Sequence, residues 1–332
     1  MVTRLRSWLL PVAAFVVCTV FAAAVQAQNY PTRPITVVVP FPAGGLTDVP
    51  ARVAATMMSE KVGQNMVVEN KTGATGTIGA GYAARAMPDG YTLFANSLAD
   101  AQNVHFQPLT YSPVDDFAQI GWIVDGPPLV LMVNAKLPFK SLADMIASAK
   151  ADPKSVNFGT SGPASSPGMA VVMLNVAAKT DMVSVPYRGS GDAAREVAGG
   201  AIQAAFSFVS QAKPLVDDGK VRVLAVAAPA RVAAWPDVPT FQELGYKIDF
   251  RGFVGLSAPV KTPKPIIELL NKKLNEVVQS DAFKARMAAL GMTVPAASDN
   301  TPEKYDAFLR KETMRQGELA QLAKTASPQA AK

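Results

Sequence analysis

The chain has 332 residues, 49% of them hydrophobic and 17% charged, enough apolar material for one large or two medium cores and too much for a disordered chain. A net charge of +6 is a small excess over this length, and without a basic tract or basic-aromatic interleaving it excludes nucleic acid as an expected partner. One histidine and one cysteine leave little material for metal or nucleophilic chemistry.

Residues 1–27 read as a secretory signal peptide. Arg4 and Arg6 precede an uncharged apolar run over 8–25, and Val25-Gln26-Ala27 supplies small residues at signal-peptidase spacing, with cleavage expected after Ala27. Removal takes away Cys18, so the mature chain has no disulfide or thiolate, and leaves 30 basic against 26 acidic residues, a net charge of +4.

The mature chain opens with a β-branched strand over 35–41, a Pro-Ala-Gly-Gly-Leu-Thr turn at 42–47 and a helical pattern over 48–62. A strand over 66–69, a glycine-rich turn at 73–79, a helix to about residue 87 and a strand over 91–95 continue the alternation, which implies a mostly parallel sheet. A second series starts with an uncharged strand over 129–133. It continues with a helix over 142–151 opened by Ser141 and Asp144 as a capping box, a strand over 156–159, the loop 160–166, a helix through Lys179 and strands over 182–186, 203–209 and 221–227. After a strand over 250–258 the chain ends in helices, one expected to be capped by Thr262 with Pro263 at its first position, the last over 302–322. The pattern predicts two α/β lobes: 28–128 with 252–322 as the first, 129–251 as the second, and 323–332 as a flexible tail. The strands over 129–134 and 253–258 are the candidate crossings, and the late helices are expected on the first lobe.

Catalytic chemistry is hard to assemble. A Ser-His-Asp triad would have to use His105, no Gly-x-Ser-x-Gly elbow exists, and no cofactor or metal is expected, since Asp115-Asp116 and Asp217-Asp218 read as solvated turn pairs. The glycines at 73, 76 and 79 lack dinucleotide spacing. One enzymatic alternative stays open, a periplasmic serine hydrolase using Ser161 or Ser165 with His105. The loops at 42–48 and 160–166 stand where a parallel sheet hands the chain to helices, and open α/β sheets bind ligands at such edges. Their helix N-termini suit a carboxylate, with Gly44 and Gly45 as expected backbone donors. Asp48 is expected to cap its helix or to receive a ligand ammonium.

The residues also resemble a family. Tyr30-Pro31-Thr32-Arg33-Pro34-Ile35, Val39-Pro40-Phe41-Pro42-Ala43-Gly44-Gly45 with Asp48, Pro88-Asp89-Gly90-Tyr91-Thr92-Leu93, Val185-Pro186-Tyr187-Arg188-Gly189 and Trp235-Pro236-Asp237-Val238-Pro239-Thr240 resemble, in order, landmarks of Bug-type receptors of tripartite tricarboxylate transporters. The resemblance implies a periplasmic-binding-protein-like type II (Venus flytrap) fold, a monomer that captures a small organic carboxylate for membrane subunits of such a transporter. It places first-lobe contacts at Phe41, Ala43, Gly44, Gly45, Thr47 and Asp48, and contacts across the cleft at Ser161, Ser165 and Ser166, with Asn96, Ser97, Tyr187 and Phe208 as further walls. Asn96-Ser97-Leu98-Ala99-Asp100 and Ser207 depart from the family's usual residues near the expected cleft.

Overall fold

The computed structural model describes residues 30–326 apart from 163–164, 188, 229 and 249; the expected signal peptide and the tail beyond 326 lie outside the described residues. The chain forms two mixed α/β sheets joined through one long strand. In chain order the first part is β1 Ile35–Val39, α1 Asp48–Val62, β2 Met66–Asn70, α2 Thr77–Ala84, β3 Thr92–Ser97 and α3 Leu98–Asn103. Strand β4, Phe117–Asn134, leads to α4 Leu142–Ala151, β5 Asn157–Thr160, α5 Ser166–Ala178, β6 Val183–Pro186, α6 Ser190–Gly199, β7 Ala204–Phe208, α7 Val209–Asp217 and β8 Val221–Ala227. Strand β9, Arg251–Pro259, and helices α8 Lys264–Val278, α9 Asp281–Ala288 and α10 Pro302–Ala326 complete it.

Alternation along the strands decides the layers. In β1 and β3, Ile35, Val37, Val39, Leu93 and Ala95 meet α1 and α8 on one face, while Val38 and Phe94 meet Ala80 and Ala83 of α2 on the other. In the second lobe Phe158 and Phe206 pack with Met145 of α4 and Leu174 of α5, and Ala205 and Val130 with Val197 of α6 and Ala212 of α7.

Strand β4 is far longer than the expected 129–133, because Gly121, Gly126 and the Pro127-Pro128 pair interrupt the apolar signal that marks its second half. Its residues 117–128 pair with β9 in the first sheet, and Leu129 to Asn134 lie between β7 and β8 in the second. Three expectations change. Helices α6 and α7 had no visible signal, since α6 buries only Ala193, Ala194 and Val197 and α7 contains Pro214. Pro263, with ψ 133°, occupies the cap position of α8 and Pro265 its first turn, leaving the Thr262 hydroxyl buried without a partner rather than capping. Helices α8 and α9 pack on the first lobe as expected, but α10 lies across both, touching β4, α3 and α5, with Tyr305 and Leu309 in the core that also holds Phe158 and Phe206.

Candidate functional site

Strand directions locate the site. Strands β1, β2 and β3 are parallel, so α1, the 3-10 turn at Ala74–Gly76 with α2, and α3 all begin at one carboxyl edge of the first sheet. Strands β5, β6 and β7 are likewise parallel, and α5, α6 and α7 begin at their carboxyl edge. Ser97, the last residue of β3, pairs with Val254 near the start of β9, and β4 runs past that edge into the second sheet, where Leu129 lies opposite Phe208, the last residue of β7. The two carboxyl edges therefore face each other across the point where β4 changes sheets. Six helix N-termini, with their unbonded N–H groups and positive dipole ends, point into the space between. Anions are what such a space favours.

All thirteen residues expected to line a cleft fall at these two edges. Phe41, Ala43, Gly44, Gly45, Thr47 and Asp48 form the β1–α1 loop, Asn96 and Ser97 end β3, Ser161, Ser165 and Ser166 lie between β5 and α5, Tyr187 precedes α6, and Phe208 ends β7. Their local chemistry differs from the expectation in several places.

Asp48 is not the cap of α1; that position is Thr47, which makes no side-chain cap bond. As the first helical residue, Asp48 is 2% exposed and turns its carboxylate back onto the loop. Oδ2 accepts from the Gly44 N–H at 2.9 Å and from Arg52 Nε at 3.2 Å, and Oδ1 from Arg52 Nη2 at 2.6 Å and Asn70 Nδ2 at 2.8 Å. Burial alone would raise this carboxyl, but the bonds from Arg52, Asn70 and Gly44 outweigh it and hold the group below the usual carboxylate range. With these donors already on both oxygens, Asp48 is a brace for the loop. Gly44 and Gly45 are not free donors either, since the Gly45 N–H meets the Pro42 carbonyl at 3.2 Å. The N–H groups of Ala43, Leu46, Thr47 and Asp48 are the ones that no acceptor among the described residues meets.

Asn96 belongs to a buried polar network. Its Oδ1 accepts from the Tyr305 hydroxyl at 2.6 Å and its Nδ2 donates to Ser257 Oγ at 2.8 Å, with Gln119 beside both. Ser97 opens α3 through a capping box with Asp100, whose Oδ2 accepts from the Ser97 N–H at 2.8 Å. Asp100 is buried with its Oδ1 unpartnered, and burial pushes its carboxyl up to about 7. Ser165 caps α5, accepting from the Gly168 N–H at 3.1 Å and donating to the Gly162 carbonyl at 2.6 Å. Ser207 donates to Gln211. His105 sits against α10, its Nε2 2.7 Å from the Thr313 carbonyl.

Sequence reasoning missed the N-terminus of α6. Gly189 caps that helix without a side chain, and Ser190 and Gly191 stand beside the Gln211 amide. The signal was available in Gly189-Ser190-Gly191-Asp192 followed by Gly199-Gly200, a cap and stop around a weakly apolar stretch. No group of described histidine, cysteine, aspartate or glutamate side chains could hold a metal ion, and Asp115, Asp217 and Asp218 are exposed and paired with Arg310, Lys213 and Lys220.

This arrangement of two facing parallel-sheet edges is shared with known proteins. The sequence pattern of the tripartite tricarboxylate transporter family receptors matches residues 50–324. The chain belongs to this family. It is 35% identical to Protein BugT of Bordetella pertussis over 92% of this chain and 93% of that one. Among solved structures it is similar to MatC from Rhodopseudomonas palustris with bound malate, at TM-score 0.77 and 30% identity, covering 88% of this chain and all of MatC. A second R. palustris protein, solved with adipate, gives TM-score 0.79 and 29% identity, covering 89% and 98% of the two chains. The receptor thus has the two-lobe periplasmic-binding-protein fold. No helix of its described residues is long and apolar enough to cross a membrane.

Proposed function

We propose that this receptor works in the periplasm, where it captures a small organic dicarboxylate or related acid and delivers it to the membrane subunits of a tripartite tricarboxylate-type transporter. The observation that carries the reading is the convergence of helix N-termini from both lobes on one cleft whose β1–α1 loop keeps unbonded N–H groups. Such a site holds carboxylate by backbone donors and dipoles. Malate and adipate in the related structures are acids of the kind it fits. The expected first-lobe and second-lobe residues named above are its proposed contacts, Asp48 acting on the loop and not on the ligand.

Binding without turnover follows from the engagement of the nucleophile candidates: Ser165 caps a helix and His105 packs on α10. A thermal-shift screen of organic acids tests the proposal, since a ligand at about 100 times its Kd adds about 2.7 kcal/mol. A dicarboxylate raising the melting temperature with no product formed is the expected outcome. No shift with any acid, or hydrolysis abolished by His105→Ala, would count for the hydrolase instead.

A further inference from the structure

The first lobe carries a second concavity on the side away from the cleft. It lies at the amino ends of β1 and β3, so the full length of the sheet separates it from the carboxyl edge where the cleft opens. Its volume is about 430 Å³. The floor is a pair of threonines in register, Thr36 opposite Thr92. They stand on the face that Val38 and Phe94 present to α2, at the one place where the strand pattern puts hydroxyls where it otherwise puts apolar side chains. Neither hydroxyl meets a partner among the described residues.

Two guanidinium groups line the walls. Arg33 is fixed, lying 4.0 Å over the Tyr91 ring and 3.0 Å from Asp89. Arg85, just past the end of α2, has no acidic partner among the described residues and only a 3.4 Å contact to Thr110 Oγ1. The pocket therefore holds one more cation than anion, with free hydroxyls between. Around it the surface is unusually apolar: Met87 is 69% exposed, Ile78 57% and Tyr82 45%. Ile78 and Tyr82 stand four residues apart on one face of α2, and Lys71 lies 4.2 Å from the Tyr82 ring. A free anion would use the cations and hydroxyls and leave this rim in water. A protein surface would bury both.

The geometry points to a docking surface here, in which an acidic side chain of a transporter membrane subunit enters the Arg33–Arg85 pocket while apolar neighbours cover Ile78, Tyr82 and Met87. This rests on the receptor reading and adds the place of contact: the back of the first lobe, where docking leaves the cleft unobstructed. Charge complementarity at such a rim acts on recognition and association rate.

The test measures binding of the purified receptor to nanodiscs carrying the membrane subunits of a tripartite tricarboxylate-type transporter, with malate and adipate titrated in parallel to read the cleft. Arg85→Glu and Met87→Asp, both at exposed positions, should melt as wild type does, keep any acid binding, and bind the nanodiscs at least about tenfold more weakly. Lys284→Glu, a charge reversal on α9, should bind them normally. Wild-type receptor that does not bind the nanodiscs, or Arg85→Glu that binds as well as wild type, would overturn the surface. So would sodium phosphate or acetate shifting the Thr36 and Thr92 amide resonances at millimolar concentration, because the pocket would then serve a free anion. Failure of malate and adipate to bind wild-type receptor bears on the cleft alone.

Discussion

At Asp48 the difference between a cap and a brace has measurable consequences. An N-cap aspartate can be replaced by asparagine with little loss, but here each carboxylate oxygen accepts two bonds. Asparagine must turn an NH₂ toward two donors whichever way its amide is placed. Asp48→Asn should therefore cost about 1–3 kcal/mol, close to Asp48→Ala, the range for unsatisfied polar groups left in a protein. Urea unfolding checks this, and tolerance of asparagine would restore the capping role. Because the folded carboxyl titrates below its unfolded value, its contribution is present above the ordinary carboxylate pKa and disappears as pH falls through the lowered one. Asp100 has the opposite sign. Burial raises it to about 7, so between the ordinary carboxylate pKa and about 7 the folded state holds a proton the unfolded state lacks, and stability falls as pH rises through that window. Asp100→Asn should flatten this slope and be the more stable protein near pH 8, as melting curves from about pH 5 to about pH 8 would show.

Among the elements, the crossing strands carry the fold's most exacting contact. A Cβ on Gly126 of β4 would lie 2.8 Å from the Gly252 carbonyl carbon and 3.0 Å from its Cα, whereas one on Gly252 would meet only Gly126 Cα at an ordinary 3.8 Å. The two positions are neighbours with unequal freedom. Gly126→Ala must push β4 and β9 apart where the chain passes between lobes, and should cost about 1–3 kcal/mol, as overpacking does. Gly252→Ala should be neutral or slightly stabilising, since alanine loses less backbone freedom than glycine. Equal effects in urea unfolding would show that the strands do not touch so closely in solution.

For the whole molecule, the topology predicts closure. Two lobes meet through β4 at Pro128–Leu129 and through the entry to β9, with α10 packed on both, and a ligand bridging the carboxyl edges favours the state in which they approach. The helix α10 contacts limit this motion, because Tyr305 is buried between lobes and its hydroxyl is tied to Asn96. Small-angle scattering with malate or adipate at about 100 times Kd should give a smaller radius of gyration than the unliganded receptor; no change with bound acid would mean a rigid cleft.

Much of this was legible in the chain. The strand at 35–41, the helix at 48–62, the Ser141–Asp144 capping box and the strand at 221–227 were readable because local pattern and local chemistry agree there, and the loops at 42–48 and 160–166 were identified as site loops because a βα turn in a parallel sheet has only one edge on which to sit. What Asp48, Asn96 and Thr262 do was not readable. Each is a polar residue whose partners are set by tertiary packing: the Gly44 N–H and Asn70 for Asp48, Tyr305 from 209 residues away for Asn96, nothing for Thr262. Helices α6 and α7 were hidden because their burial comes from small residues against a sheet and not from a strong apolar stripe. Local spacing determined which elements form and where anions are favoured; the sheet register decided that two such edges face each other, and long-range contacts decided which polar side chains remain to meet a ligand.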